Sequence, residues 1–590
     1  MSATRVAVLG ALALAAAACR PSEPTPRGPL AQVEAAVPEG WKHRPLRGLA
    51  ARAASGMVVT DDSLAAAVGV DVLRRGGNAV DAVIATAFAL AVTYPEAGNI
   101  GGGGFLLTRL AEGTVTALDF RERAPAAATR DMFVDSTGEV GESSLLGPLS
   151  AGVPGVVAGL AAAHERHGSL PWEALVLPSA ALARDGFVVS ERFHDVIAAR
   201  ADDLGRFDGS RALFLPGGSA PAVGSTFRNP DLARTLERVA RAGRAGFYEG
   251  ETARLIAAEM ERTGGLIGLE DLASYEPAWR EPVLFGYRGA RVASMPPASS
   301  GGLTLALVAN ILEGYDLRAL GWHSPETLHL TTEALRRAFV DRNYYLGDTD
   351  FVDVSRRQFE SEEYAARARA SIADRAAPSL DVLPGLGADR GQPAVPREEL
   401  ETVHIGVVDA FGNAAALTTT VNFLFGSKVT VTGAGFVLND TMDDFAAQPG
   451  QPNAFGLVQG ENNAIQPGKR MLSAMTPTIA SDGAGVLLVT GARGGPSIIS
   501  AVWQVLSNVV DYGLPIDAAV RAPRVHHQHL PDSLLYEETG LTDGILRELR
   551  ARGHAVESTG GVGSAPSILR VPGGWTGLAD PRTGGAALGY

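Results

Sequence analysis

Apolar and polar positions alternate most clearly in "VHIGVVDAFGNAAALTTTVN", residues 403–422. Two apolar runs, 405–408 and 414–421, flank a turn at Phe411 and Gly412, the pattern of a β-hairpin. With Phe411 at the centre, Thr402 and Thr420 lie opposite each other, and Asn422 follows Thr420 on the same face. Opposed Cβ atoms in such a pair stand about 4.5–5.5 Å apart, so the two hydroxyls can touch. Other strand-like runs fall on either side of Glu112 and Gly113, and at 403–409, 434–439, 475–480 and 485–490. Helical signals are equally local. Asp61, Asp62 and Ser63 offer N-caps for a helix that runs to Arg75 and stops at Gly76 and Gly77. Asn78 caps a second helix, "AVDAVIATAFALAV", which is apolar on nearly every face and is therefore predicted to be buried. Helical periodicity recurs at 153–167, 230–242, 252–263, 325–339 and 497–512, and "MPPASSGG" (295–302) reads as a rigid turn opening a helix. No repeat of fixed period is present. Sheets bracketed by helices predict layered α/β packing.

Composition narrows the class. The chain has 590 residues, 46% apolar and 20% charged, ordinary for a soluble globular enzyme with room for a large core and several domains. Its 70 glycines and 35 prolines are dispersed, which indicates many tight turns rather than low complexity. A formal charge of −14 supplies no basic stripe for phosphates, which excludes a nucleic-acid partner. At the N-terminus Arg5 precedes "VAVLGALALAAAA" (6–18), too short to cross a bilayer but suited to a signal-peptide core. The chain's single cysteine, Cys19, follows at once. Residues 1–19 thus read as a lipoprotein-type signal with Cys19 as lipid anchor. The alternative is simple cleavage after Ala-x-Ala, and both place the protein in the periplasm or cell envelope. One cysteine allows no disulfide within the chain. Residues 20–47, rich in Pro, Glu and Arg, read as a tether. Residues 371–399, "SIADRAAPSLDVLPGLGADRGQPAVPREE", read as a mobile linker ending just before Thr402.

Taken alone, Thr402 is either a β-branched strand residue or a nucleophile. The wider motif set decides between them. "GGNAVDA" (76–82), "GNIGGGGF" (98–105), "DFRERAP" (119–125), "GVPGVVAG" (152–159), "AFVDRNYYLGD", "NDTMDDF" (439–445), "PGKRMLSAMTPT" (467–478), "TGARGGPSII" (490–499) and "APRVHHQHLPD" occur with the hairpin in uninterrupted order from about residue 50 to the C-terminus. Together they resemble the γ-glutamyltransferase family, also called γ-glutamyltranspeptidase or glutathione hydrolase. The resemblance implies an N-terminal-nucleophile hydrolase fold, a four-layer αββα sandwich of the α+β class. It further implies one precursor that cuts itself between Glu401 and Thr402 into a large chain (48–401) and a small catalytic chain (402–590), which stay together as a heterodimer. The implied activity cleaves the γ-glutamyl amide of glutathione and its conjugates and passes the acyl group to water, amino acids or dipeptides. No cofactor is implied.

The chemistry fits those residue types. A neutral threonine hydroxyl is a weak nucleophile and needs a base. Cleavage creates one on the same residue, an α-amine of reference pKa about 7.7–8.0. The family pattern makes Thr420 the partner that holds the Thr402 hydroxyl, and gives the backbone N–H groups of Gly494 and Gly495 to the oxyanion. Arg121 matches the residue that grips the substrate α-carboxylate, where a guanidinium can bind both oxygens. Asp444, with Asn422 beside it, matches the acceptor of the α-ammonium, and Ser473 matches a serine bonded to the carboxylate. Four positions depart from the pattern: Val403 replaces a second threonine, Ala474 a second serine and Thr441 a Gln or Glu near the ammonium. The lid aromatic is Phe455 rather than tyrosine. These departures keep open a related amide acylase acting on glutaryl or cephalosporin substrates. An unprocessed envelope binding protein is the non-enzymatic alternative, against which the joint presence of Thr402, Thr420, Gly494 and Gly495 speaks. Two further features are read as structural. The glycines at 101–104 lack the Lys-Ser/Thr of a phosphate loop and precede a strand. His526, His527 and His529 lack a Glu or Cys at metal spacing, so no metal is expected.

Overall fold

The computed structural model describes residues 29–43, 49–387 and 400–590. The signal segment with Cys19, and the linker residues 388–399, lie outside them. Part of the expected tether is built into the body. Helix α1 (Pro29–Ala36) leads into a loop, and Val33, Val37 and Trp41 are buried in one of the two large apolar cores. A Pro-, Glu- and Arg-rich composition had hidden those three anchors. Residues 371–387, expected to be mobile, are held as well: the Ser379 amide donates to Asp532 (2.8 Å), and the Ser379 carbonyl lies 2.7 Å from His529 Nε2.

The predicted caps form. In α2 (Ser63–Arg74) Asp62 accepts from the Ala65 amide. In α3 (Ala79–Thr93) Asn78 and Asp81 make a reciprocal capping box, which satisfies amides that a helix start leaves without partners. Every residue of α3 is buried, as its all-round apolar pattern requires.

Two antiparallel seven-stranded sheets make the inner layers. One carries, in spatial order, Ala586–Gly589, Met57–Thr60, β3 (Leu400–Val408), β4 (Ala414–Phe423), β1 (Gly103–Arg109), β2 (Val115–Phe120) and Ala278–Arg280. The other runs Ala51–Ala53, Gly574–Leu578, Ser567–Val571, Gly485–Thr490, Thr478–Asp482, Ala290–Ser294 and Val283–Tyr287. The two sheets face each other, β3 and β4 lying against Gly485–Thr490 and its neighbours. Helices α2 and α3 cover the first sheet, while Gly301–Glu313, Ser497–Val510 and Ile516–Arg521 cover the second. This is the expected αββα sandwich.

The hairpin has the register read from its turn: Val408 pairs with Ala414, His404 with Thr418 and Val403 with Thr419. A bulge falls between Glu401 and Val403, so Thr402 sits where the strand leaves regular pairing, and bulges re-aim a side chain. The glycine run serves the same hairpin. A Cβ on Gly102 would lie 2.0 Å from the Thr420 carbonyl oxygen, and one on Gly104 2.4 Å from that of Thr418. Only glycines let this segment press so closely on β4.

Two expected elements differ. Residues 434–439 are a loop, because Gly433 and Gly435 adopt positive φ and turn the chain back, with the Val431 amide donating to the Phe436 carbonyl. The helix expected at 325–339 continues as Pro325–Tyr345. Its last turns carry Asp341 and Arg342, buried charges that apolar periodicity cannot recognise.

Candidate active site

At the bulge the Thr402 hydroxyl donates to the Thr420 hydroxyl over 3.3 Å. Thr420 Oγ1 also accepts the Asn422 amide at 2.8 Å, which fixes its rotamer. Asn422 holds φ at +84°, and its side-chain Nδ2 donates to the Asp440 carbonyl at 3.2 Å. Thr402, Thr420 and Asn422 thereby face a small cavity shared with Asp444, Ser473 and Gly495. These are six of the residues expected from the sequence, drawn from four separate segments. In this uncleaved chain, where Leu400 and Glu401 still precede Thr402 in β3, the cavity holds about 30 Å³. That is room for about one water molecule.

Asp444 ends a short helical turn, Thr441–Asp444, and its main-chain carbonyl accepts from the side chains of Asn463 (2.7 Å) and Gln459 (3.3 Å). Burial raises its carboxyl above the ordinary value, and the adjoining Arg121 guanidinium opposes the rise. Arg121 is wholly buried behind Asp444. Its Nη2 pairs with the Asp444 carboxylate, its Nη1 with Glu122 at 3.0 Å, and its Nε with the Met471 carbonyl at 3.3 Å. Burial pushes the Glu122 carboxyl up to about 7 despite Arg121.

The guanidinium that lines the cavity is Arg342, which the sequence reading missed. It donates to Ser300 Oγ (3.1 Å), Asn343 Oδ1 (2.9 Å) and Gln459 Oε1 (3.4 Å). Burial lowers it to about 10, against the pull of the Asp444 charge. Two guanidiniums therefore flank one carboxylate. The available signal was "VDRNYY", where a charged pair interrupts a buried helix.

Ser473 Oγ accepts the Met475 amide at 3.2 Å, and the Ser473 carbonyl takes both the amide and the hydroxyl of Ser300. Ala474 lines the cavity as a methyl. Thr441 does not line it: its hydroxyl turns away to Asn439 Oδ1 at 2.7 Å. Gly494 and Gly495 both hold positive φ, +121° and +52°. Their carbonyls are taken by the amides of Ser497 and Ile498 at the start of the Ser497–Val510 helix, whose positive end thus lies beside the cavity. Phe455 closes one wall, stacked on Phe423 with ring centroids 5.1 Å apart, and Gln528 donates to its carbonyl at 2.9 Å.

The histidine run is structural here. His526 Nδ1 bonds Ser500 Oγ (2.7 Å), His527 Nε2 bonds Asp532 (3.3 Å), and His529 packs on Ser379. Among the described residues, one group has the spacing of metal ligands: His329, Glu333 and His554. The Glu333 oxygens accept from Arg336 and Arg337, and the two imidazoles bond each other at 2.9 Å.

Residues 65–590 match the sequence model of the gamma-glutamyltranspeptidase family. A glutathione hydrolase proenzyme of Escherichia coli (strain K12) is 44% identical over 540 residues, covering 90% of this chain and 91% of the relative. Among solved structures, a cephalosporin acylase from Bacillus halodurans superposes with a TM-score of 0.81 at 30% identity, over 94% of this chain and 99% of that one. A Helicobacter pylori gamma-glutamyltranspeptidase gives 0.54 at 42% identity, over 55% of this chain and 94% of that one.

Proposed function

Since the chain belongs to the γ-glutamyltranspeptidase family, and is by that membership a self-processing γ-glutamyl hydrolase and transferase, we propose that Thr402 is its nucleophile and Glu401–Thr402 its cleavage site. The observation that carries this reading is the Thr402–Thr420 hydroxyl pair at a bulge, inside a cavity that also holds Asn422, Asp444, Ser473 and Gly495. In the precursor the Thr402 hydroxyl attacks the Glu401 carbonyl carbon. The C–N bond breaks, the freed nitrogen takes a proton to become the α-amine of Thr402, and water hydrolyses the resulting ester.

The mature residue then carries base and nucleophile together. The α-amine takes the hydroxyl proton as Oγ1 attacks the γ-carbonyl of the donor, and Thr420 holds Oγ1 in line. Negative charge on the carbonyl oxygen meets the backbone N–H groups of Gly494 and Gly495, beside a helix start. The leaving amine takes the proton, and water or an acceptor amine resolves the acyl-enzyme. A glutamyl donor presents an α-ammonium and an α-carboxylate. Asp444 and Asn422 accept from the former; Ser473 receives the latter beside Arg342 at the cavity wall, and Arg121, which lies behind Asp444, joins them once its pair with Asp444 opens to the substrate. Glutathione and other γ-glutamyl compounds are the proposed donors. Amino acids or dipeptides are the proposed acceptors. The 48–401 unit, still joined to the 20–47 segment, and the 402–590 chain form the proposed heterodimer, exported by the 1–19 signal and lipid-anchored at Cys19.

Ala474 and the averted Thr441 remove polar contacts that a zwitterionic donor could use, and the overlap with an acylase fold keeps a glutaryl substrate as the competing reading. Comparing a γ-glutamyl with a glutaryl anilide separates them. Faster release from the γ-glutamyl anilide supports the proposal, and preference for the glutaryl compound overturns it. Thr402→Ala should yield one inactive chain.

A further inference from the structure

Asp440 stands between the two residues read as acceptors of the donor's α-ammonium, Asn422 near the end of β4 and Asp444 in the turn Thr441–Asp444. It is wholly buried and does not line the cavity. Its polar groups nevertheless bind the segment that carries Asn422. The Asp440 amide donates to the Val421 carbonyl at 3.0 Å, and the Asp440 carbonyl accepts Asn422 Nδ2 at 3.2 Å. One carboxylate oxygen accepts the Phe423 amide at 3.1 Å, and the other accepts from the Lys428 ammonium at 3.5 Å. The same carbonyl takes the Asp443 amide at 3.4 Å, inside the turn that ends at Asp444. One residue thus ties both acceptors into a single unit.

The segment held in this way is not relaxed. Asn422, Phe425 and Lys428 have φ of +84°, +60° and +63°, a region that residues with side chains rarely adopt and that surrounding contacts must enforce. Asp440 contacts the first and the last of them. Lys428 is anchored from its other side as well, where Ser210 Oγ donates to its carbonyl at 2.5 Å. With Lys428 only 7% exposed, the ion pair is buried. Burial pushes the Asp440 carboxyl up to about 6, against the pull of Lys428. Desolvation of two charges offsets most of their attraction, so a buried pair of this kind is a weak source of stability. What it fixes is position. A carbonyl only accepts, so Nδ2 is the end of the Asn422 amide turned to Asp440, which leaves Oδ1 for the cavity.

We propose that Asp440, held by Lys428, is a positioning residue that aims Asn422 Oδ1 at the donor's α-ammonium and so sets the preference for donors that carry one. The inference rests on the reading of Asn422 and Asp444 as the ammonium's acceptors. Asp440 touches no reacting atom and acts through Asn422. An ammonium placed between Asn422 Oδ1 and the Asp444 carboxylate gains charge-assisted hydrogen bonds from both. Those bonds require the two acceptors to keep one spacing, and Asp440 is the residue that binds them to each other. A glutaryl donor has no ammonium and gains nothing from the arrangement.

The test uses the processed two-chain enzyme hydrolysing γ-glutamyl-p-nitroanilide, with glutamate and glutarate as competitive inhibitors that differ only in the ammonium. In wild type the Ki for glutarate should exceed that for glutamate by about tenfold or more, the scale of hydrogen bonds to a charged group. Asp440→Asn sets an amide against the Lys428 ammonium and should cut that ratio several-fold, by raising the Ki for glutamate alone. Lys428→Met should do the same. The paired variant Asp440→Asn/Lys428→Met still accepts from Phe423 and buries no charge, so its ratio should return toward wild type. On an Asn422→Ala background Asp440→Asn should lower the ratio no further. Where Asp440→Asn forms no second chain, Asp440→Glu takes its place, since it keeps the charge and displaces the carboxylate; the same fall is expected. A ratio unchanged in the Asp440 variants, an equal rise in both Ki values, a paired variant that recovers nothing, or an undiminished fall on the Asn422→Ala background overturns the inference. Wild type that binds glutamate and glutarate equally refutes the parent reading of Asn422 and Asp444, and this one with it.

Discussion

Replacing Gly102 with alanine sets a methyl carbon 2.0 Å from the Thr420 carbonyl oxygen, 3.0 Å from its carbonyl carbon and 3.1 Å from Val421 Cγ1. An ordinary contact is about 3.5 Å, so one of the two segments must move by more than about 1 Å. The obstacle is backbone on both sides, and no flexible side chain can yield. Overpacking of this kind costs about 1–3 kcal/mol. The larger consequence is positional, because β4 carries Thr420, which the hairpin sets against Thr402. A misplacement of about 1 Å at reacting groups lowers rates by about 100-fold. Gly102→Ala should therefore remain folded while self-cleavage slows by about two orders of magnitude, followed as the appearance of two chains on denaturing gels. Gly286→Ala is the control, since a Cβ there meets nothing within 4 Å; it should cleave like wild type. A Gly102→Ala protein that matches wild type in both melting and cleavage rate would refute the claim that the glycine run exists to seat Thr420.

Two further outcomes follow from buried charge. Arg121 holds the Asp444 carboxyl down against burial, so Arg121→Met should shift the acid limb of the donor KM–pH profile to higher pH as well as weaken binding. A limb that stays in place would show that Asp444 does not receive the ammonium. Burial pushes His404 from 6.5 to about 3, so the folded chain keeps it neutral while the unfolded chain protonates. The stability it contributes is complete above pH 6.5 and is lost as pH falls toward 3, by about 2 kcal/mol at pH 5. His404→Gln should thus lose less stability than wild type between pH 7 and pH 5 in denaturant titrations, and equal losses would contradict this.

Local signals in the sequence were sufficient wherever one segment decided the outcome. The caps at Asp62 and Asn78, the buried α3 and the register that opposes Thr402 with Thr420 all depend on short-range patterns. The bulge was not legible, because it arises where β3 leaves β4 at Asn422, whose positive φ no neighbour announces. Arg342 was missed for a related reason: a charged residue in a helix reads as solvent-facing until distant groups such as Ser300 and Gln459 surround it. Likewise, α1 and residues 371–387 have the composition of linkers, and a few apolar side chains and hydrogen bonds to remote partners tie them down. Thr441 stood in the right motif, yet the neighbouring Asn439 draws its hydroxyl away from the cavity.

The most direct measurement is N-terminal sequencing of the smaller chain of the purified protein. The smaller chain should start at Thr402-Val403-His404, with Thr402→Ala giving a single full-length chain. A smaller chain beginning at any other residue, or an active protein that stays uncut, would contradict the assignment of Thr402 as a nucleophile activated by its own amine.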